Sequence, residues 1–403
     1  MSEEKIQVYG SRWLVLVLFM FTNITLQILW ITFASITVEA TEFYGFPVGE
    51  NTPILFLSLI FMIAYIPVTF LASWLIDKYD FRVGAGTGAL LAGIFGFLRF
   101  FAGNDYMLLL IFQIGIAIGQ PFVLNSITRL SANWFPESER TSATGLSLIS
   151  QFIGILLGVL ITPFLYQATN IPITLLIYGI LALISGVLFV ILVKNKPPTP
   201  PSKEELKEKV LMGKGLKALF KNKHFIILFI TFFFGLGIFN FITSYIELIL
   251  DPRGFDATDA GIIGGLLLIG GIVGCIVMSA LSDKYKKRKL LVIISIIIAT
   301  ISLFIITPPI TTDPILLYLF NFLLGFGILS AGPVALEYAV DLTKPVPEAT
   351  SNGMLMMVGQ IGGIIFILFF EGFTLGGDYF PALLLEAIFL LATLVLVFFL
   401  KEK

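Results

Sequence analysis

With 403 residues, 57% of them hydrophobic and only 13% charged, the chain lacks the polar residues to coat a water-soluble protein of its length. Its mean hydropathy of +0.99 points to lipid, and a formal net charge of −1 gives no pull toward nucleic acid. One cysteine, Cys275, and one histidine, His224, exclude an internal disulfide and leave no cluster for a metal or a Ser-His-Asp set. Neither an enzyme nor a cofactor-bearing protein is expected.

A hydrocarbon core about 30 Å thick takes roughly 20 apolar residues per helix. Twelve segments qualify: 13–38, 52–76, 83–102, 106–131, 141–166, 171–193, 224–250, 259–281, 289–308, 313–341, 349–371 and 379–400. The first run, from Trp13, is too long for a signal-peptide core and is expected to stay as a span. With both termini in the cytoplasm, every Lys and Arg except Arg99 and Arg253 falls on the inner side. Glu39, Glu42, Glu50, Asp105, Asp313 and Asp378 fall outside. This is the positive-inside pattern, so a multi-pass protein of the cytoplasmic membrane is expected. Residues 194–223 open as KNKPPTPPSKEELKEKV and divide the chain into bundles 1–193 and 224–403. Prolines 197, 198, 200 and 201 disfavour a continuous helix there. The rest reads either as a basic amphipathic helix on the inner membrane surface or as a solvated tether.

Two repeats relate the bundles. SWLIDKYDFR, from Ser73 to Arg82, follows the second span; SALSDKYKKR, from Ser279 to Arg288, follows the eighth. Pro136, Glu139, Thr141, Ser142, Gln151 and Gly154 match Pro345, Glu348, Thr350, Ser351, Gln360 and Gly363 at one constant offset. The expected fold is all-α and integral to the membrane, with twelve helices in two pseudo-symmetric six-helix bundles, the major facilitator architecture. The first repeat resembles that superfamily's loop signature, G-x-x-x-D-R/K-x-G-R-R/K. Ser73 and Ser279 replace its first glycine, and Asp80 and Lys286 its second. Asp77 with Arg82, and Asp283 with Arg288, are expected to latch the cytoplasmic side by pairing and by capping neighbouring helices. Arg129, Glu337 and Asp341 are costly in a span unless paired, and are expected to join those latches.

A substrate site is expected near the midplane, between the halves. Trp13, Trp74 and Trp134 fall at helix ends, where an aromatic belt accounts for them. Trp30 lies deep in the first span, where its N–H needs a partner or its face a ligand, and tryptophan is the best cation–π platform. Gln120, Gln151 and Gln360 also lie deep, and the last two are repeat-related. Such amides either bond between helices or grip a polar ligand. Asn240 and Tyr245 belong to a mixed polar and aromatic stretch of the seventh span.

The runs AYIPVTFLASWLIDKYDFR, GQPFVLNSITRLSANWFP and GPVALEYAVDLTKPVPEATSNGM resemble the feline leukaemia virus subgroup C receptor family over nearly the whole chain. The resemblance implies a twelve-helix facilitator of choline and ethanolamine; haem export has also been proposed for the family. It implies a ligand cage of a tryptophan, a tyrosine and two glutamines, which Trp30, Gln151 and Gln360 match. Asn240 stands where the family has its cage tyrosine, and an amide there suits a more polar ligand such as a primary amine. The leading expectation is an alternating-access transporter, uniporter or ion-coupled, of a small organic cation or amine, acting as a monomer. The alternatives are a proton-coupled exporter of amphipathic compounds or haem, with Glu337, Asp341 or Glu386 carrying the proton, and a membrane receptor without flux.

Overall fold

The computed structural model describes residues 7–34, 36–47, 52–201, 212–250, 253–255, 257–307, 313–371 and 379–401. Among them all regular structure is helical, and twelve helices are long and apolar enough to cross a membrane. The helices are α1 (Ser11–Ile31), α2 (Thr37–Phe43), α3 (Thr52–Tyr79), α4 (Phe81–Leu98, extended by a 3₁₀ turn Arg99–Ala102), α5 (Tyr106–Leu124), α6 (Ile127–Trp134), α7 (Arg140–Ala168) and α8 (Ile171–Leu192). There follow α9 (Met212–Lys221), α10 (Lys223–Leu250), α11 (Ala257–Tyr285), α12 (Arg288–Ile306), α13 (Pro314–Thr343), α14 (Glu348–Glu371) and α15 (Phe380–Phe398).

Helix ends fall where polar side chains satisfy the free backbone N–H groups. Asp105 accepts from Leu108 N at 3.0 Å, Asn170 from Ile173 N at 2.9 Å, and Asp313 from Ile315 N at 2.8 Å. Each such cap stabilises its helix by about 1 kcal/mol.

Two compact units emerge. One comprises Met1–Glu137, Ser147–Glu208 and Glu348–Gly353; the other comprises Ser138–Leu146, Lys209–Pro347 and Met354–Lys403. The first turns of the repeat-related helices α7 and α14 are therefore exchanged, each belonging to the unit that does not hold the rest of its helix. Within each unit small residues bring backbones together, as membrane helices require in the absence of a hydrophobic drive between them. A Cβ on Gly179 of α8 would lie 2.5 Å from Gly96 O of α4, and one on Gly325 of α13 would lie 1.8 Å from Leu267 O of α11.

Two predicted spans are broken. The first stops at Ile31 rather than 38, with Thr32 Oγ1 donating to Ile28 O at 2.6 Å. Beyond it, α2 is an amphipathic cap: Glu39 and Glu42 are exposed, while Ile36, Ala40 and Tyr44 face an apolar cluster with Phe33, Leu57 and Leu109. The fourth breaks at Asn125–Ser126, just after Pro121. There the Asn125 amide leaves helical packing to donate to Thr69 Oγ1 (2.8 Å) and Ser73 Oγ (3.0 Å) and to accept from Tyr65 OH (2.6 Å). Trp134 is not a belt residue: it is buried and donates to Lys194 O at 3.1 Å. Of the 194–223 segment, residues 202–211 lie outside the described residues.

Candidate functional site

In the first unit the repeated loop joins α3 to α4 through Asp80, whose φ of +79° and ψ of 169° belong to a region nearly reserved for glycine. Lys286, the equivalent residue of the second copy, also has positive φ, +57°. Both copies thus take positive φ at the position of the loop signature's second glycine, although neither has that glycine. Asp80 is held in place by its side chain. Its Oδ1 accepts from Phe81 N (2.9 Å), Arg129 Nε (3.1 Å) and Asn133 Nδ2 (2.7 Å). Burial alone would raise its pKa, but the Arg129 charge and the bonds from Phe81 and Asn133 reverse this and hold the carboxyl below the ordinary aspartate value.

Arg129 reaches further, with Nη1 2.8 Å from Glu348 Oε2 at the start of α14. The rest of that first turn docks on α3: Asp77 accepts from the Thr350 hydroxyl, Ser73 Oγ donates to Ala349 O at 3.1 Å, and Thr69 Oγ1 donates to Gly353 O at 3.3 Å. A Cβ on Gly353 would meet Ser73 Oγ at 2.4 Å, so this approach needs glycine. Among the described residues Arg82 joins no carboxylate. Its Nη2 donates to Val190 O of α8 at 2.8 Å, tying the loop to its own unit.

The second unit uses equivalent residues differently. Asp283 accepts from the first amides of α7, Thr141 N at 3.1 Å and Ser142 N at 2.6 Å, a carboxylate on a helix N-terminus. Arg288 Nη1 lies 2.7 Å from Asp341 Oδ2, and Nη2 lies 4.0 Å from Glu337 Oε2. Glu337 also accepts from Thr144 Oγ1 at 2.6 Å. Arg129, Glu337 and Asp341 are therefore all paired, as their positions in spans demand.

The six residues expected to touch a ligand fall in both units. In the first, Trp30 is half-buried and its Nε1 donates to Ser58 O at 3.1 Å, which satisfies the polar edge of the ring. Gln120 is buried beside Pro121 in α5. Gln151 of α7 is half-buried, and one turn on, a Cβ at Gly154 would lie 2.5 Å from Ile24 O of α1. In the second unit Gln360 of α14 is half-buried. Asn240 of α10 packs on α14 three residues further along, its Nδ2 2.6 Å from where a Cβ of Gly363 would be. Tyr245 is drawn into an aromatic stack instead, 4.9 Å from Phe241 and 6.2 Å from Tyr379 between ring centroids.

Sequence reasoning missed a buried polar ladder between α1 and α7. Asn23 Nδ2 donates to Ser147 O and Ser150 Oγ, both at 3.0 Å, and Gln27 Nε2 donates to Asn23 Oδ1 at 3.3 Å. The available signal was the i, i+4 spacing of two amides in an apolar helix, with Trp30 the next residue along that face. It also missed Arg99, wholly buried at the end of α4 opposite the loop. Glu386 of α15 is equally buried, and among the described residues neither of its oxygens has a hydrogen-bond partner. No group of three or more metal-ligating side chains occurs among the described residues.

The comparisons with known proteins agree with this layout. Residues 13–367 match the Major Facilitator Superfamily. Solute carrier family 49 member A3 of Xenopus tropicalis is 31% identical over 91% of this chain and 78% of its own length. The choline/ethanolamine transporter FLVCR2 of Homo sapiens is 26% identical over 90% of this chain and 72% of its own. FLVCR1 of Felis catus, also named a choline/ethanolamine transporter, is 28% identical over 89% and 67%. In fold, the chain resembles the transporter FucP in its outward conformation, with a TM-score of 0.75 at 15% identity over 98% of this chain and 100% of that one. Twelve membrane helices, a duplicated loop with its positive-φ residue and this set of relatives lead to one conclusion: the chain belongs to the major facilitator superfamily, as a relative of the feline leukaemia virus subgroup C receptor transporters.

Proposed function

We propose that the protein is an alternating-access transporter of a small organic cation or amine, with choline and ethanolamine the first candidates, working as a monomer in the cytoplasmic membrane with both termini inside. The observation that carries the reading is the state of Gln151 and Gln360. They are repeat-related, half-buried within spans, and among the described residues their amides have no hydrogen-bond partner in the protein. An amide left unpaired at that depth is costly unless a polar ligand or water meets it. Trp30 supplies an aromatic face whose N–H is already satisfied by Ser58, which suits a cation. Asn240 adds a third amide in place of an aromatic wall, which suits a more polar headgroup that itself carries N–H or O–H. The relatives named as choline/ethanolamine transporters support the same substrate class. In this reading 1–193 and 224–403 are the moving bundles, 194–223 tethers them, and the latches are Asp80–Arg129–Glu348 with Asp77 on Thr350, and Asp283 with Arg288–Glu337–Asp341.

The test is uptake of labelled choline and ethanolamine, with thermal stabilisation by each ligand measured on the purified protein. Trp30→Ala and Gln360→Ala are expected to abolish both signals with expression intact. Normal uptake in both variants would sink the assignment. One observation favours a second reading, proton coupling: the buried, unpartnered carboxyl of Glu386. A pH gradient should then drive transport in the native protein and not in Glu386→Gln. Transport indifferent to the gradient removes that reading.

A further inference from the structure

The first unit contains a buried charge that its own residues do not neutralise. Arg99 has no solvent exposure. Its Nη1 is satisfied, donating to Leu29 O and to Gln113 Oε1, both at 3.1 Å. Gln113 is fixed in turn by donating to Leu57 O at 3.1 Å. The other edge of the guanidinium, Nε with Nη2, is buried and has no partner. These two N–H groups are parallel and close, the fork with which arginine takes an anion. A third orphan lies nearby: the buried hydroxyl of Tyr44 has no partner either. Both residues meet Phe33, the Arg99 Cζ 5.9 Å from its ring centroid and the Tyr44 ring 6.4 Å from it.

The surroundings decide the sign and size of what is missing. A guanidinium keeps its proton in proteins, and an unpaired buried charge is among the most costly features a fold can carry. The two glutamates of the overlying α2, Glu39 and Glu42, are exposed on its other face. Among the described residues Arg99 makes no ion pair, so the deficit there is one negative charge. The cluster under α2 is apolar, with Phe33, Ile36, Ala40 and Leu109 buried in it, which disfavours a strongly hydrated or multiply charged anion. From this geometry we propose that the first unit binds one small monovalent anion, of the halide class, on the free Arg99 edge with the Tyr44 hydroxyl as third donor, and that this ion fastens the α2 cap to the ends of α1 and α4. The proposal rests on no reading of the transported substrate.

The test is thermal unfolding of the purified full chain in sodium chloride, bromide and gluconate at one ionic strength. A saturable rise in Tm with either halide and none with gluconate is expected. Arg99→Gln should abolish the rise. Tyr44→Phe, which removes only one oxygen and keeps the ring packing, should weaken the apparent halide affinity about tenfold to a hundredfold, the effect of one hydrogen bond to a charged group. It serves as the deciding variant if Arg99→Gln does not fold. Crystals grown in bromide should show an anomalous peak beside Arg99. Identical curves in halide and gluconate, a halide shift undiminished in the variants that fold, or a bromide crystal with only water at Arg99 would each overturn the proposal.

Discussion

Replacing Glu348 by Gln keeps the shape of the first turn of α14 and removes one charge from the Arg129 bridge. Arg129 Nη1 lies 2.8 Å from Glu348 Oε2, with side-chain exposures of 10% and 24%. A hydrogen bond between charged groups stabilises by about 1.5–3 kcal/mol when dry, and an exposed ion pair by about 0–1 kcal/mol. A pair mostly out of water falls between, so the loss is about 1–2 kcal/mol, or roughly fivefold to thirtyfold in the local opening equilibrium. Amide hydrogen exchange reads it directly. The N–H groups of residues 352–356 are the first that α14 closes on itself, and they should exchange faster by that factor, while those of α8 do not change. Arg129→Met should act more strongly, because Asp80 and Glu348 both lose their partner. The double variant should be no worse than Arg129→Met alone. Unchanged exchange in Glu348→Gln, or equal acceleration in α8, would refute the bridge as the fastener of this turn.

Four more outcomes follow, two from the α3–α4 loop and two from helix packing. Because the Asp80 carboxyl is held below its ordinary value, its contribution is complete above the unfolded aspartate pKa of about 3.9 and is lost only as pH falls through the lower folded value. Protection of the α3–α4 loop should therefore be flat from pH 7 to 5 and drop below about pH 4; a drop centred near neutrality would contradict this. Asp80→Gly relieves a positive-φ strain of about 1–3 kcal/mol but deletes the acceptor for Phe81, Arg129 and Asn133. A net loss of thermal stability is expected, and a gain would mean that those bonds are weak. Gly325→Ala forces a Cβ to 1.8 Å from Leu267 O and should lower stability by at least about 1–3 kcal/mol. Gly265→Ala, whose Cβ meets nothing within 4 Å, should be neutral or gain up to about 1 kcal/mol in the same melting assay.

Hydropathy locates the twelve spans because each must cross the same thickness of hydrocarbon, and a window average registers that. The same averaging hides what interrupts a span. The break at Asn125 depends on partners from α3 that Asn125 does not advertise, and at the stop after Ile31 Thr32 only bonds back to its own helix, as threonines inside helices also do. The duplicated loop is legible as a motif, and its charges pair as a membrane requires, but their partners are only partly legible. Arg82 looks equivalent to Arg288, yet Val190 O is within its reach and takes it. Asn240 is legible as a substitution for an aromatic residue, while Tyr245 could not be assigned to its stack without knowing that Phe241 and Tyr379 face it. Arg99 was visible only as an exception to the charge pattern, and that exception marked the one arginine wholly buried in the first unit.

The two loop copies show how far a repeat can drift while keeping one backbone. Both need positive φ at the eighth motif position, and they hold it with different chemistry: the first with an aspartate that caps α4 and recruits Arg129, the second with a lysine 3.8 Å from Asp283. In the first unit the carboxylate that opens α14, Glu348, is gripped by an arginine from α6. In the second, the start of α7 is gripped through its backbone amides by Asp283, and the arginine pairs inside its own unit with Asp341. Each contact hangs on one carboxylate, so a single substitution at Glu348 or at Asp283 is enough to remove it.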